Sequence, residues 1–180
     1  MNQPDARLPM IFLRPSELFI RRDNARQPLK VTTVLGSCVS LTLFNARLGM
    51  AAICHALLPR CGPDRSDCQG SFRYVQSVIP LMFSDFQRRG GRPGETEVKL
   101  FGGSDMFGRN SGAGGIPSVG SQNVEMAVEM IGASRFHLKT ADVRGRYGRK
   151  ISFYPHTGDV WVKPLGGRGR GEQADIWKKS

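Results

Sequence analysis

The stretch from Val31 to Pro59, VTTVLGSCVSLTLFNARLGMAAICHALLP, constrains the fold more than any other part of the chain. It reads as three strands, Lys30 to Val34, Cys38 to Phe44 and Gly49 to Leu58, separated by a tight Leu35-Gly36-Ser37-Cys38 turn and a short Asn45-Ala46-Arg47 connection. Strand side chains alternate with period two, so Val39, Leu41 and Leu43 point to one face while Cys38, Ser40 and Thr42 point to the other. Two antiparallel strands joined by a short loop bring their outer ends together, and those ends carry Cys38 and His55.

A cysteine just after a Gly-Ser turn, with a histidine on the returning strand, is what thiol nucleophilic catalysis requires: the imidazole takes the thiol proton and the thiolate attacks a carbonyl. A third group can orient the imidazole. Thr32, six positions before Cys38, is the candidate, and its neighbour Thr33 points to the opposite face by the same alternation. Pairing alone has a plainer reading, a small buried hydrophobe beside a satisfied histidine.

Resemblance decides between the two. A threonine a short strand ahead of an LGSC turn, then a histidine just before Leu-Pro, resembles the CheD family of chemoreceptor glutamine deamidases, with Thr32, Cys38 and His55 on the three positions. The likeness runs on in order. It takes in Phe72-Arg73-Tyr74-Val75 with Ile79-Pro80-Leu81, Lys99-Leu100-Phe101-Gly102-Gly103, and Met106-Phe107. It continues through Gln122-Asn123-Val124 to Gly148-Arg149-Lys150-Ile151 with Gly158-Asp159-Val160, and so covers residues 10 to 164. Only the family spacing selects Thr32 over Thr33.

The length of 180 residues suits one domain with a sizeable core. The expected division is a loose N-terminus over 1–10, one folded domain over 11–164 and a basic, Gly/Arg-rich flexible tail over 165–180. No apolar run approaches the roughly 20 residues that span a bilayer. Met10-Ile11-Phe12-Leu13 is too short for a signal-peptide core, and Met1 to Arg7 is no basic lead-in, its one side-chain cation being offset by Asp5. A cytoplasmic protein without membrane insertion follows, and Cys38, Cys54, Cys61 and Cys68 are then expected as thiols. Cys54, His55, Cys61 and Cys68 lack the close Cys-x2-Cys spacing of a zinc site, and Cys54 and His55 point to opposite faces, so no metal is expected. Cys61 and Cys68 read as loop thiols.

The remaining pattern alternates helix and strand. Ile11 to Ile20 reads as a short strand broken at Pro15-Ser16. Phe72, Val75, Ile79, Met82 and Phe86 recur at helical spacing and end at Arg89-Gly90-Gly91, with Pro80 expected to kink the helix or mark its first turn. Glu95 to Phe101 is a strand stopping at Gly102-Gly103. The glycine-rich run from Gly108 to Gly120 lacks a phosphate-loop signature and is expected as a mobile loop flanking the site. Ser121 is the expected cap of a second helix, with Val124, Ala127, Val128 and Ile131 as its apolar stripe. Strands follow at Phe136 to Val143, Lys150 to Tyr154 and Asp159 to Val162, and His137 and His156 read as structural or exposed. The sum is an α/β layered sandwich: a mixed or antiparallel β-sandwich core flanked by two or three helices, as the resemblance also implies.

The net charge of +11 is uneven. Residues 135 to 170 hold Arg135, Lys139, Arg144, Arg146, Arg149, Lys150, Lys163, Arg168 and Arg170 against Asp142 and Asp159, a net +7. Such a face is either simply solvated or docks an acidic partner. A nucleic-acid partner, prompted also by Gly166 to Gly171, lacks a dense aromatic-basic pattern and is not expected. The resemblance implies chemoreceptors, through acidic helical cytoplasmic regions, as the partner. It also implies hydrolysis of a glutamine side chain to glutamate and ammonia through a cysteine thioester, with Cys38 as nucleophile, His55 as acid and base, Thr32 as orienter, Gly36 and Ser37 at the oxyanion, and no cofactor. The alternative within the family is a non-catalytic binding module acting through receptors or the CheC phosphatase.

Overall fold

The computed structural model describes residues 7–22, 27–62, 68, 70–105, 117–166 and 177–180. Ten strands and two α-helices are formed in the order β1 (Met10–Phe12), β2 (Leu18–Arg22), β3 (Lys30–Leu35), β4 (Val39–Asn45), β5 (Met50–Cys54), α1 (Val75–Arg88), β6 (Glu97–Gly102), α2 (Val119–Gly132), β7 (Leu138–Val143), β8 (Gly148–Tyr154), β9 (Asp159–Leu165) and β10 (Lys178–Lys179). They make two five-stranded sheets, β1-β3-β8-β9-β10 and β2-β5-β4-β6-β7. Most neighbours are antiparallel, but β1 pairs parallel with β3 and β6 parallel with β7. This is the α/β sandwich expected from the sequence, with both helices on one side.

The middle sheet explains the layering. Its central strands β4, β5 and β6 are buried on both faces, and β5 is apolar on both. Val39, Leu41 and Leu43 of β4 and Met50, Ala52 and Cys54 of β5 pack with Val78, Ile79, Met82 and Phe86 of α1 and with Val124 and Ala127 of α2. Ala51, Ile53 and Phe101, on the opposite face, meet Val31 and Leu35 of β3 and Ile151 and Phe153 of β8 in a second core between the sheets. Each of these aliphatic and aromatic side chains contributes about 1.5–3 kcal/mol when fully buried.

Several boundaries differ from the sequence reading for local reasons. Pro80 does not mark the first turn of α1, which begins at Val75; it sits exposed inside the helix, where its ring faces solvent. The cap of α2 is Ser118, whose hydroxyl accepts the Ser121 N–H at 3.2 Å, so Ser121 is the residue capped and not the cap. The C-terminal residues 178 and 179 pair with β9, Lys179 meets Asp159 at 2.9 Å, and the Ser180 carbonyl accepts from the buried Lys99 Nζ at 2.8 Å. Cys61 and Cys68 form a disulfide, where the sequence reading had two thiols. Leu58 bridges Tyr74 in parallel, and the Ser77 hydroxyl donates to the Cys68 carbonyl at 3.2 Å beside the start of α1. Met106-Phe107 and most of the expected glycine-rich loop lie outside the described residues.

Candidate active site

His55 follows β5 and keeps the parity of Ala51 and Ile53, which turns its side chain into the space between the sheets. Beyond the regular β4–β5 ladder, Val39 and Ala56 exchange two backbone hydrogen bonds of 3.0 and 2.9 Å. That bridge sets Ser40 opposite His55 and Cys38 opposite Leu57. Cys38 and His55 are therefore diagonal neighbours on one face, a relation that spans about 7–8 Å between Cα atoms and less between side chains. Cys38 is half-buried, whereas His55 is buried.

The orienting hydroxyl belongs to Thr33 and not to Thr32. Thr33 Oγ1 lies 2.8 Å from His55 Nδ1, while Thr32 Oγ1 pairs with Ser152 Oγ at 3.2 Å across β8. Parity is the cause: Val31 and Leu35 fill the core between the sheets, so Thr33, sharing their face, meets the histidine and Thr32 turns away. Thr33 Oγ1 donates its one proton to the Leu13 carbonyl at 2.8 Å. It can then only accept from His55, which fixes the proton on Nδ1 and leaves Nε2 with its lone pair. Nε2 is buried and has no hydrogen-bond partner among the described residues. That is the tautomer a base toward a thiol needs. Thr33→Val leaves the Nδ1 proton unpaired, and an unsatisfied buried donor costs about 1–3 kcal/mol. Rates measured on Thr33→Val should accordingly fall roughly 5- to 150-fold, with Thr32→Val near wild type.

Burial lowers the His55 pKa from its ordinary 6.5, against smaller opposing effects of the Leu13 carbonyl and the Glu17 charge. Burial likewise raises the Cys38 thiol, opposed by its own backbone N–H. The resting pair is thus a neutral thiol beside a neutral imidazole. Cys54, pushed up to about 12 by burial and packed toward the helices, is an inert core thiol.

The nucleophile turn is held by its carbonyls. Gly36 O accepts from Ser104 N at 2.8 Å, Ser37 O from Asn123 Nδ2 at 2.9 Å, and Cys38 O from Gly103 N at 2.8 Å. In a planar trans peptide the N–H points opposite to the preceding C=O, so the Ser37 and Cys38 N–H groups face away from Ser104 and Asn123. Ser104 is itself locked: its hydroxyl donates to Tyr147 O at 2.6 Å and accepts from Arg149 Nη2 at 3.1 Å. Arg149 also bonds Asp142 and the Arg144 carbonyl. It is buried, so it belongs to this scaffold and not to the solvated basic face in which its charge was counted from the sequence.

Sequence reasoning missed Thr33, Leu13, Asn123, Ser104 and Arg149. Core parity could have found Thr33, and the polar Asn123 four positions before Ala127 on a core-facing stripe was a signal for that residue. His137 is exposed and His156 stacks edge-on to Tyr154, both away from the cysteine.

Comparison with known proteins gives one family. The CheD family, described as CheD chemotactic sensory transduction, matches residues 57–164, a span that begins just after His55. A protein of Geobacter sulfurreducens named probable chemoreceptor glutamine deamidase CheD 2 is 48% identical over 165 residues, covering 92% of this chain and 96% of its own. A probable chemoreceptor glutamine deamidase CheD of Oleidesulfovibrio alaskensis is 39% identical, covering 89% of this chain and 75% of its own. One from Dechloromonas aromatica, named CheD 3, is 32% identical, covering 90% and 91%.

Proposed function

The chain belongs to the CheD family, and from that premise and the geometry of the cysteine and histidine we propose that it is a protein-glutamine deamidase acting on chemoreceptors. The observation that carries the reading is the committed Thr33 proton, which leaves His55 Nε2 as a base on the face that bears Cys38. Cys38 gives its proton to Nε2 as its sulfur adds to the side-chain amide carbon of a substrate glutamine. The Ser37 and Cys38 N–H groups, with the Gly36 turn behind them, receive the developing oxyanion. The imidazolium returns the proton to the departing nitrogen, ammonia leaves and a γ-glutamyl thioester remains. His55 then takes a proton from water, hydroxide adds to the thioester, and glutamate and the free thiol are released. Every step uses groups of this chain and water.

The receptor partner fits the charge: a basic protein steers toward acidic, glutamate-rich helical surfaces, and such steering raises association rates more than it alters chemistry. The reaction belongs in the cytoplasm, where chemoreceptor signalling helices lie. No helix among the described residues is long and apolar enough to cross a membrane.

The test mixes the protein with a purified cytoplasmic receptor fragment and scores, by mass spectrometry, the gain of about one dalton when an amide becomes an acid. Gain at specific glutamines with wild type, and none with Cys38→Ala, is the expected result. Binding to the fragment without any mass change would replace the enzyme by a regulatory binding module, with the CheC phosphatase as the partner to try next.

A further inference from the structure

Asn123 sits in the first half of α2, fully buried, and its side chain reaches out of the helix layer into the active-site scaffold. Its Nδ2 donates two hydrogen bonds of 2.9 Å each, one to the Ser37 carbonyl and one to the Leu57 carbonyl. Ser37 is the residue before the cysteine, and Leu57 lies two residues beyond His55. Both partners are carbonyls, so the nitrogen must face them whichever way the amide would otherwise be built. One planar amide group therefore ties the turn that carries the nucleophile to the segment that carries the base.

The cost of the arrangement argues that it is more than packing. The same orientation leaves Asn123 Oδ1 buried with no partner among the described residues. An unsatisfied buried acceptor is destabilising, and it is tolerated here for the two carbonyls that Nδ2 satisfies at once. The clamp also acts where the sheet is weakest. The regular β4–β5 ladder runs from Thr42 to Asn45, and at Leu41 the backbone N–H turns to the Cys54 sulfur at 3.4 Å. Past that break the Ser40 hydroxyl on the Cys54 carbonyl, the Val39–Ala56 bridge and Asn123 link the two segments among the bonds described, and Asn123 is the one of these that comes from outside the sheet.

We propose that Asn123 is a positioning residue that sets the distance and angle between Cys38 and His55. This rests on the deamidase reading only for its activity readout. A displacement of about 1 Å between reacting groups lowers rates by roughly 100-fold. Loss of the clamp should therefore appear in kcat and leave KM nearly unchanged, because Asn123 touches no substrate.

The experiment uses Asn123→Leu, which keeps the branching and heavy-atom count and removes both the donor and the stranded acceptor, and Asn123→Asp, which keeps the shape and replaces the donor. For each full-length variant one measures the melting temperature, kcat and KM on the receptor fragment, and the alkylation rate of Cys38 by iodoacetamide, read on its own peptide, with and without His55→Ala. The expected result is a kcat lower by about 10- to 100-fold with KM within about twofold. Cys38 alkylation should also be slower in either variant than in wild type, with no further change when His55→Ala is added. A kcat near wild type in folded Asn123→Leu would overturn the proposal. So would alkylation losses that simply multiply with those of His55→Ala, since they would mean a fault unrelated to the pair. If wild type deamidates nothing, the proposed function fails, and the alkylation cycle still decides the clamp. Should Asn123→Leu not fold, Asn123→Asp gives the same comparison.

Discussion

His55→Ala should lower deamidation by at least about 10²- to 10⁴-fold, the range that a positioned general acid–base supplies. Loss of this size follows from the resting state. Burial holds Cys38 as a thiol, so no standing thiolate exists to react without the base. The pH dependence sharpens the expectation. A histidine whose pKa is lowered stays unprotonated at neutral pH and below its ordinary 6.5, and gains its proton only in more acid solution. Wild-type kcat/KM should thus hold steady as pH falls to that value and decline only below it. In His55→Ala the residual rate should instead rise steadily with pH, following the thiolate, with no acid limb left. A variant that kept a tenth of the wild-type rate at neutral pH would remove His55 from the chemistry.

The second large effect is expected at Gly102, where β6 ends. Its φ of +105° is closed to L side chains, and a Cβ there would overlap the carbonyl oxygen of Cys38. Backbone strain alone costs about 1–3 kcal/mol. The overlap adds a push on the peptide that carries the nucleophile, whose carbonyl is also fixed by Gly103 N. Gly102→Ala should therefore melt at lower temperature and, even where folded, lose roughly 100-fold in rate through misplacement of the thiol. Gly90→Ala is the control. Its φ is +88°, but nothing lies within 4 Å of the added atom. It should lose melting temperature and keep its specific activity, whereas equal activity in Gly102→Ala would show that the turn tolerates the push.

The helices and the central strands were legible because each is written in local periodicity, which also put Cys38 and His55 on one face of neighbouring strands; reading that pair as a site rested on the family resemblance. What was illegible depends on contacts between distant segments. In KVTTVL Thr33 shares a face with Val31 and Leu35 and Thr32 shares one with Lys30 and Val34, so parity favours Thr33 by a single apolar residue. Pairing with β8, where Ile151 and Phe153 are the inward residues, settles it for Thr33. The parallel pairing of β1 with β3 joins segments separated by a loop and by all of β2, and no turn signature announces it. Residues 178–179 read as an extension of a glycine- and arginine-rich tail, yet they return to β9 because Lys99, buried on β6, needs carbonyl partners and takes those of Gly158 and Ser180. Ser118 and Ser121 are both reasonable caps by type, and only the helix start distinguishes them.

The final acceptor behind the imidazole is a main-chain atom, the carbonyl of Leu13, carried next to Thr33 by the short strand β1. Scanning mutagenesis would pass over it. Leu13→Ala removes buried side-chain surface and would be scored as a core defect, while the oxygen that selects the tautomer stays in place. What the imidazole proton depends on at that position is register: a one-residue slip of β1 along β3 would bring a different carbonyl, or none, under the threonine.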